Sequence, residues 1–139
     1  MEWAELVAHV ARRYVVDEVT PSSLELWWDF RDSELAVRQH QAVSRAGAHY
    51  VVACELGVPR SAWAALRTSA IRFGTLVEDG DRRELRAYLP VAGLGREMLE
   101  HALRAVAGEA ARIALALAHR GDRELAADGA AIAAPGAHH

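Results

Sequence analysis

Residues 71–90 read IRFGTLVEDGDRRELRAYLP, and the fold is decided at their midpoint. Asp79-Gly80 is among the strongest short hairpin signals, because glycine supplies the positive φ that a tight turn between twisted strands requires. On either side lie runs rich in β-branched, aromatic and aliphatic residues, 71–77 and 83–89, which read as two antiparallel strands bracketing Glu78-Asp79-Gly80-Asp81. An antiparallel hairpin with one apolar face needs a second layer to cover it. The neighbouring segments supply that layer.

Upstream, Pro59-Arg60-Ser61 breaks the extended pattern, and Ser61 is a suitable N-cap for a short helix Ala62–Arg67 with the stripe Trp63, Leu66 and Ala70. Downstream, beyond Pro90 and the loop Gly93-Leu94-Gly95, apolar residues at Met98, Leu99, Ala102, Leu103, Val106, Ala110, Ile113 and Leu117 predict a long helix ending near Gly121. The alanine- and glycine-rich residues 121–139 lack bulky periodicity and read as a flexible tail.

Further out, Leu24, Leu26, Trp28 and Phe30 alternate with mostly polar neighbours in the period of a half-buried strand, closed by Arg31-Asp32-Ser33. Two more extended runs, roughly Leu35 to Ser44 and Ala48 to Leu56, flank Arg45-Ala46-Gly47 and complete a three-stranded meander. At the start, Trp3, Leu6, Val7, Val10 and Tyr14 mark one face of a helix that Thr20-Pro21-Ser22-Ser23 ends. The expectation is one α+β domain over 1–120, ordered α-β-β-β-α-β-β-α. Its antiparallel sheet has five strands in two groups, with helices mainly on one face.

A chain of 139 residues has room for one such domain, since domains typically run to about 100–200 residues. Apolar residues make up 52% and charged ones 25%, a balance that suits a folded chain. The net charge of -3 lacks the basic footprint that phosphate recognition needs, so no nucleic-acid partner is expected. Acidic Glu2 and Glu5 stand where a signal peptide carries positive charge, and no apolar run reaches about 18 residues. A cytoplasmic protein with no membrane partner is the expectation.

The side chains that could carry chemistry are scattered. Glu78, Asp79 and Asp81 could suggest a calcium loop, but Arg82 and Arg83 follow at once where further oxygen ligands would be needed. The seven histidines include no H-E-x-x-H or comparable ligand spacing, and only His138 and His139 are adjacent. Cys54, the single cysteine, lies in the apolar run Tyr50–Cys54 and reads as a small core hydrophobe, not a nucleophile. Gly93-x-Gly95 lacks the third glycine and the βαβ setting of a dinucleotide site. Arg82, Arg83 and Arg86 form the densest basic group, interleaved with Glu84 and Tyr88 as a solvated strand face would be. No catalytic residue, metal site or cofactor is expected.

The tryptophans are more informative. Trp27 and Trp28 are neighbours on one strand, so they point to opposite faces. If Leu24, Leu26, Trp28 and Phe30 face the helices, Trp27 faces away, where Val51, Leu76 and Tyr88 are candidates to join it. Such a partly apolar, partly charged surface suits a second copy or a partner peptide. Trp63 and Leu66 lie on a helix too short to hide a tryptophan wholly within its own domain, which makes them candidates for a dimer contact.

The stretch from Leu66 to Ala110 also resembles the YbjN family, whose members have the fold of type III secretion chaperones. The likeness lies in the aromatic-Gly strand at Phe73-Gly74, the acidic Asp-Gly turn, a strand running into Leu89-Pro90, and an immediate helix with paired apolar residues. The order of elements from Trp3 to about Arg120 is similar as well. The resemblance implies a homodimer with protein-binding surfaces and no catalytic residues. The functional expectation is therefore a non-catalytic, chaperone-like module that binds protein or peptide. A small-ligand sensor or enzyme subunit using the sheet–helix cleft, and a structural dimer regulating another protein's assembly, are the alternatives.

Overall fold

A computed structural model describes residues 1–32, 35–67 and 71–127. Ser33, Ala70 and the segment 128–139, with His138 and His139, lie outside the described residues. The elements are α1 (Trp3–Arg13), β1 (Val16–Val19), β2 (Ser23–Asp32), β3 (Leu35–Ala46), β4 (His49–Glu55), α2 (Arg60–Arg67), β5 (Thr75–Asp79), β6 (Arg82–Pro90) and α3 (Arg96–Ala127). The fold is α+β, with one antiparallel sheet in the order β1-β2-β3-β4-β6-β5 and the helices on one side.

The meander β2-β3-β4 and the β5–β6 hairpin form as expected, and they join because β4 pairs with β6 along Val51↔Tyr88, Val52↔Ala87 and Cys54↔Leu85. The two groups of strands thus join through β4 and β6 in the one expected sheet, with β5 left at the edge. Gly80 sits at φ +61 and closes the tight turn between Asp79 and Arg82.

Four boundaries differ from expectation. A sixth strand, β1, lies between α1 and the Thr20–Ser23 turn and pairs Val16 with Leu26 and Val19 with Leu24. Its β-branched Val16 and Val19, with Val15 just before them, favour extension, but Asp17 and Glu18 break up the apolar run. β5 begins at Thr75, not Ile71, because Gly74 turns the chain at φ +90 immediately before it. α2 begins at Arg60, which puts Ser61 inside the first turn instead of at the cap. α3 continues to Ala127, past the expected stop at Gly121: a single glycine costs a helix only about 1 kcal/mol relative to alanine, and Arg123, Glu124, Leu125 and two alanines follow.

The core lies between the helix-side face of the sheet and α1 and α3. Leu24, Leu26, Val43, Tyr50, Val52, Cys54 and Leu85 point down from the strands and meet Leu6, Val10, Leu99, Leu103 and Val106, all fully buried or within one per cent of it. Each such leucine contributes roughly 1.5–3 kcal/mol on burial. On α3 the buried positions Leu99, Ala102, Leu103, Val106, Ala110 and Ile113 recur three or four apart, the spacing that keeps one stripe of a helix against a sheet. Of the buried polar residues His9, Gln39, Gln41 and Glu109, Gln41 is the one with no exposure at all. Gln41 accepts from Trp28 Nε1 at 2.9 Å and donates to the Leu103 carbonyl at 2.9 Å, so both ends of its amide are satisfied.

Candidate functional site

With every helix on one side, the opposite face of the sheet is left uncovered by the described residues. Strand alternation decides which side chains stand there. On β2 they are Glu25, Trp27, Asp29 and Arg31, and opposite them on β3 are Ala42, His40, Arg38 and Ala36. β4 contributes Val51 and Ala53, while β6 contributes Tyr88, Arg86 and Glu84.

Side-chain size shapes this face. Ala42 pairs with Ala53 and Ser44 with Val51 at its centre, so the floor is low. Trp27 rises on one flank and Tyr88, 51% exposed, on the other. Trp27 is half-buried by its own neighbours. His40 meets its ring edge-on at 4.9 Å between centroids, and the Arg38 guanidinium lies 4.4 Å over it. His40 Nε2 in turn lies 2.7 Å from Glu25 Oε1. On the far flank Arg86 Nη2 bonds Glu84 Oε1 at 2.6 Å and lies 3.5 Å from Asp79. The hydrogen bonds with Tyr88 and then Glu84 strengthen its positive form. At the β1 edge, a hydrogen bond with Glu25 raises the Glu18 carboxyl above its usual range. The result is an apolar trough between aromatic walls, with fixed charges of both signs along its rim. Such a surface suits a polypeptide better than a phosphate backbone.

Trp27, Val51 and Tyr88 share this face, and Val51 and Tyr88 are directly opposed. Leu76 does not join them. It pairs with Leu85 and packs against the core, because β5 starts at Thr75 and its register is set by the Asp79–Arg82 turn. Val77, opposite Glu84, occupies the uncovered side instead. Trp63 and Leu66 are also absent from the surface, at 7% exposed each. The short α2 hides its tryptophan by laying it under the sheet, with the Arg83 guanidinium 5.9 Å from the ring. Arg83 Nε is buried and lies 3.4 Å from Glu78 Oε2, an ion pair without hydrogen-bond geometry. The arginine group therefore splits: Arg86 faces the trough and Arg83 faces α2.

Other groupings were not legible in the sequence. His9 Nε2 and Tyr14 Oη donate to the two oxygens of Glu100 at 3.0 and 3.1 Å, and Arg13 Nε lies 3.0 Å away. Burial raises the Glu100 carboxyl, but these bonds and the Arg13 charge outweigh it and hold it below the usual range. The cluster ties α1 to α3. A pocket of about 360 Å³ opens on the helix side, between the loop Leu56–Pro59 and Ala110–Leu117 of α3, with Gln39 and Glu55 at its polar end. The apolar turn Gly57-Val58-Pro59 is its signal in the sequence. Cys54 is fully buried, and burial pushes its thiol up to about 12, which removes the thiolate that a nucleophile needs. Among the described residues no group of three or more histidine, cysteine or acidic side chains could hold a metal ion, and no helix is long and apolar enough to cross a membrane. No family model, curated protein or solved structure matches the chain, and the resemblance to the YbjN family stands as a proposal.

Proposed function

We propose that this chain is a non-catalytic, chaperone-like module that works as a homodimer and binds protein or peptide across the uncovered face of its sheet. The observation that carries this reading is the trough itself: Trp27 and Tyr88 stand over a floor of Ala42, Ala53, Ser44 and Val51, with both signs of charge at the rim. Aromatic residues beside small ones, with arginine at hand, are the composition of an interaction surface. Two arginines of the face are engaged, Arg86 by Glu84 and Asp79 and Arg38 by the Trp27 ring, and with the net charge of -3 this speaks against a nucleic-acid backbone as the ligand.

A second reading is favoured by the helix-side pocket, whose apolar lining and one polar end suit a small amphipathic molecule. It corresponds to a ligand sensor or enzyme subunit. Lysate capture on the immobilised chain, run beside a thermal-shift screen of small molecules, separates the two. The binding module retains a stoichiometric protein and shifts with no small molecule. A reproducible thermal shift with no retained protein sinks the first reading in favour of the second.

A further inference from the structure

β2 outruns its outer neighbour. β1 covers it only from Leu24 to Leu26, with one further bond from Trp27 N–H to the Val15 carbonyl, while β2 continues in unbroken register with β3 as far as Asp32. From Trp28 onward, therefore, no strand among the described residues lies beside one edge of β2. Folded proteins blunt such edges with proline, bulges or inward-pointing charge. The other edges show these devices: β1 is bulged between Val16 and Glu18 and followed by Pro21, and β5 is preceded by the Gly74 turn and ends in Glu78-Asp79. The run Trp28–Arg31 has no proline, bulge or inward-pointing charge, and its two outward charges, Asp29 and Arg31, are of opposite sign.

We infer that this edge pairs with the same edge of a second copy, in antiparallel register centred on Phe30. The inference rests on the homodimer in the functional reading above and assigns its interface. Its basis is self-complementarity. Phe30 is flanked by Asp29 and Arg31, both exposed on the uncovered face, and neither has an ion-pair partner among the described residues. Centring two antiparallel copies on Phe30 sets Asp29 of each copy against Arg31 of the other. The backbone agrees with this register. Trp27 N–H and the Ser23 carbonyl both point toward β1, so by alternation the N–H and C=O groups of Asp29 and Arg31 point outward as well, while those of Phe30 point inward to β3. Asp29 and Arg31 of opposing copies then exchange both main-chain hydrogen bonds. The two Phe30 residues form a non-hydrogen-bonded pair, the kind whose side chains approach most closely. The two-fold axis is normal to the sheet, so both helix layers fall on one side and the two Trp27 troughs join on the other.

The test is a charge swap read by light scattering and sedimentation at matched concentrations, with circular dichroism on each variant. Asp29→Arg and Arg31→Asp each place like charges opposite one another and should raise the dimer dissociation constant roughly tenfold or more. The double variant Asp29→Arg/Arg31→Asp restores opposite charges and should restore the dimer. Phe30→Cys supplies an independent readout. Non-hydrogen-bonded pairs have Cα atoms about 4.5 Å apart, within disulfide reach, so mild oxidation should link two chains, whereas Cys54 is buried. Single variants that stay dimeric, a double variant that is not rescued, or Phe30→Cys that fails to cross-link would each overturn the edge pairing while leaving a dimer elsewhere possible. A wild-type chain that remains at 15.2 kDa at high micromolar concentration overturns the pairing and the homodimer together.

Discussion

Trp27 and Trp28 share a peptide bond and have opposite surroundings. Trp28 faces the helices, donates to buried Gln41 at 2.9 Å, and sits between Tyr14 and Phe30 with ring centroids 5.0 and 6.0 Å away. Among the described residues, Trp27 has ring and cation contacts with Arg38 and His40 only. Trp28→Ala should cost about 3 kcal/mol or more, as expected when an aromatic group leaves a core and its hydrogen-bond partner is left buried. Trp27→Ala should stay within about 1 kcal/mol of wild type in urea unfolding. Equal losses for the two would mean that the face assignment is wrong. Alternation along 24–30 was enough to read this division from sequence. Gln41 was not legible, since nothing in Ala36–Ser44 says that one of its polar residues spans the core to the Leu103 carbonyl.

Glu109 carries a second prediction at the same scale. Hydrogen bonds from Arg112, helped by the Arg72 backbone N–H and opposed by burial, hold its carboxyl below the usual range. A group whose folded pKa is depressed stabilises the protein above its unfolded value, about 4.3 for glutamate, and the stabilisation is lost as pH falls through the folded value. Replacing it by Glu109→Gln removes the charge-assisted bonds and should cost about 1–3 kcal/mol at pH 7, with a smaller remaining fall in Tm as the medium is acidified below pH about 4. A variant whose Tm follows pH as steeply as wild type would show that another carboxylate governs acid stability.

Among the elements, the hairpin at 71–90 was legible because Asp-Gly dictates its turn, and the register follows from Asp79↔Arg82. Its starting point was not. Extending the strand back to Ile71 ignores Gly74, where a Cβ would meet the Arg86 carbonyl oxygen at 3.0 Å and Leu85 carbons at 3.1 Å. This close approach is a tertiary fact that adjacent residues do not reveal, whereas Leu76 falls on the helix side because the turn register pairs it with Leu85. Gly74→Ala should destabilise by about 2 kcal/mol or more, combining left-handed backbone strain with the contact. Gly47→Ala, at φ +63 with open space around it, bears the strain alone and should cost about 1 kcal/mol. Thermal melts of the two variants compare them directly, and a milder effect at Gly74 would contradict the account. β1 escaped notice for another reason. Four residues with two acids carry no period, and the strand exists because β2 offers it an edge.

At the scale of the whole molecule, one layer of helices on a six-stranded sheet leaves one face covered and one open. The sequence indicated this imbalance through Trp27, which no single-core arrangement could bury together with Trp28. Sequence alone misjudged how much α2 would hide, since Trp63 and Leu66 are buried in the core cluster, a tertiary placement that the length of the helix does not reveal. Val51 and Tyr88 do stand on the open face with Trp27, because their strands alternate regularly. The central claim is that the open face receives a protein, and capture on immobilised chain tests it most directly. Wild type, Trp27→Ala and Met98→Ala should be compared, Met98 being an apolar residue of α3 that is 51% exposed. The account predicts a stoichiometric protein retained by wild type and by Met98→Ala and lost, by about tenfold or more in affinity, from Trp27→Ala. Equal retention by wild type and Trp27→Ala would contradict it.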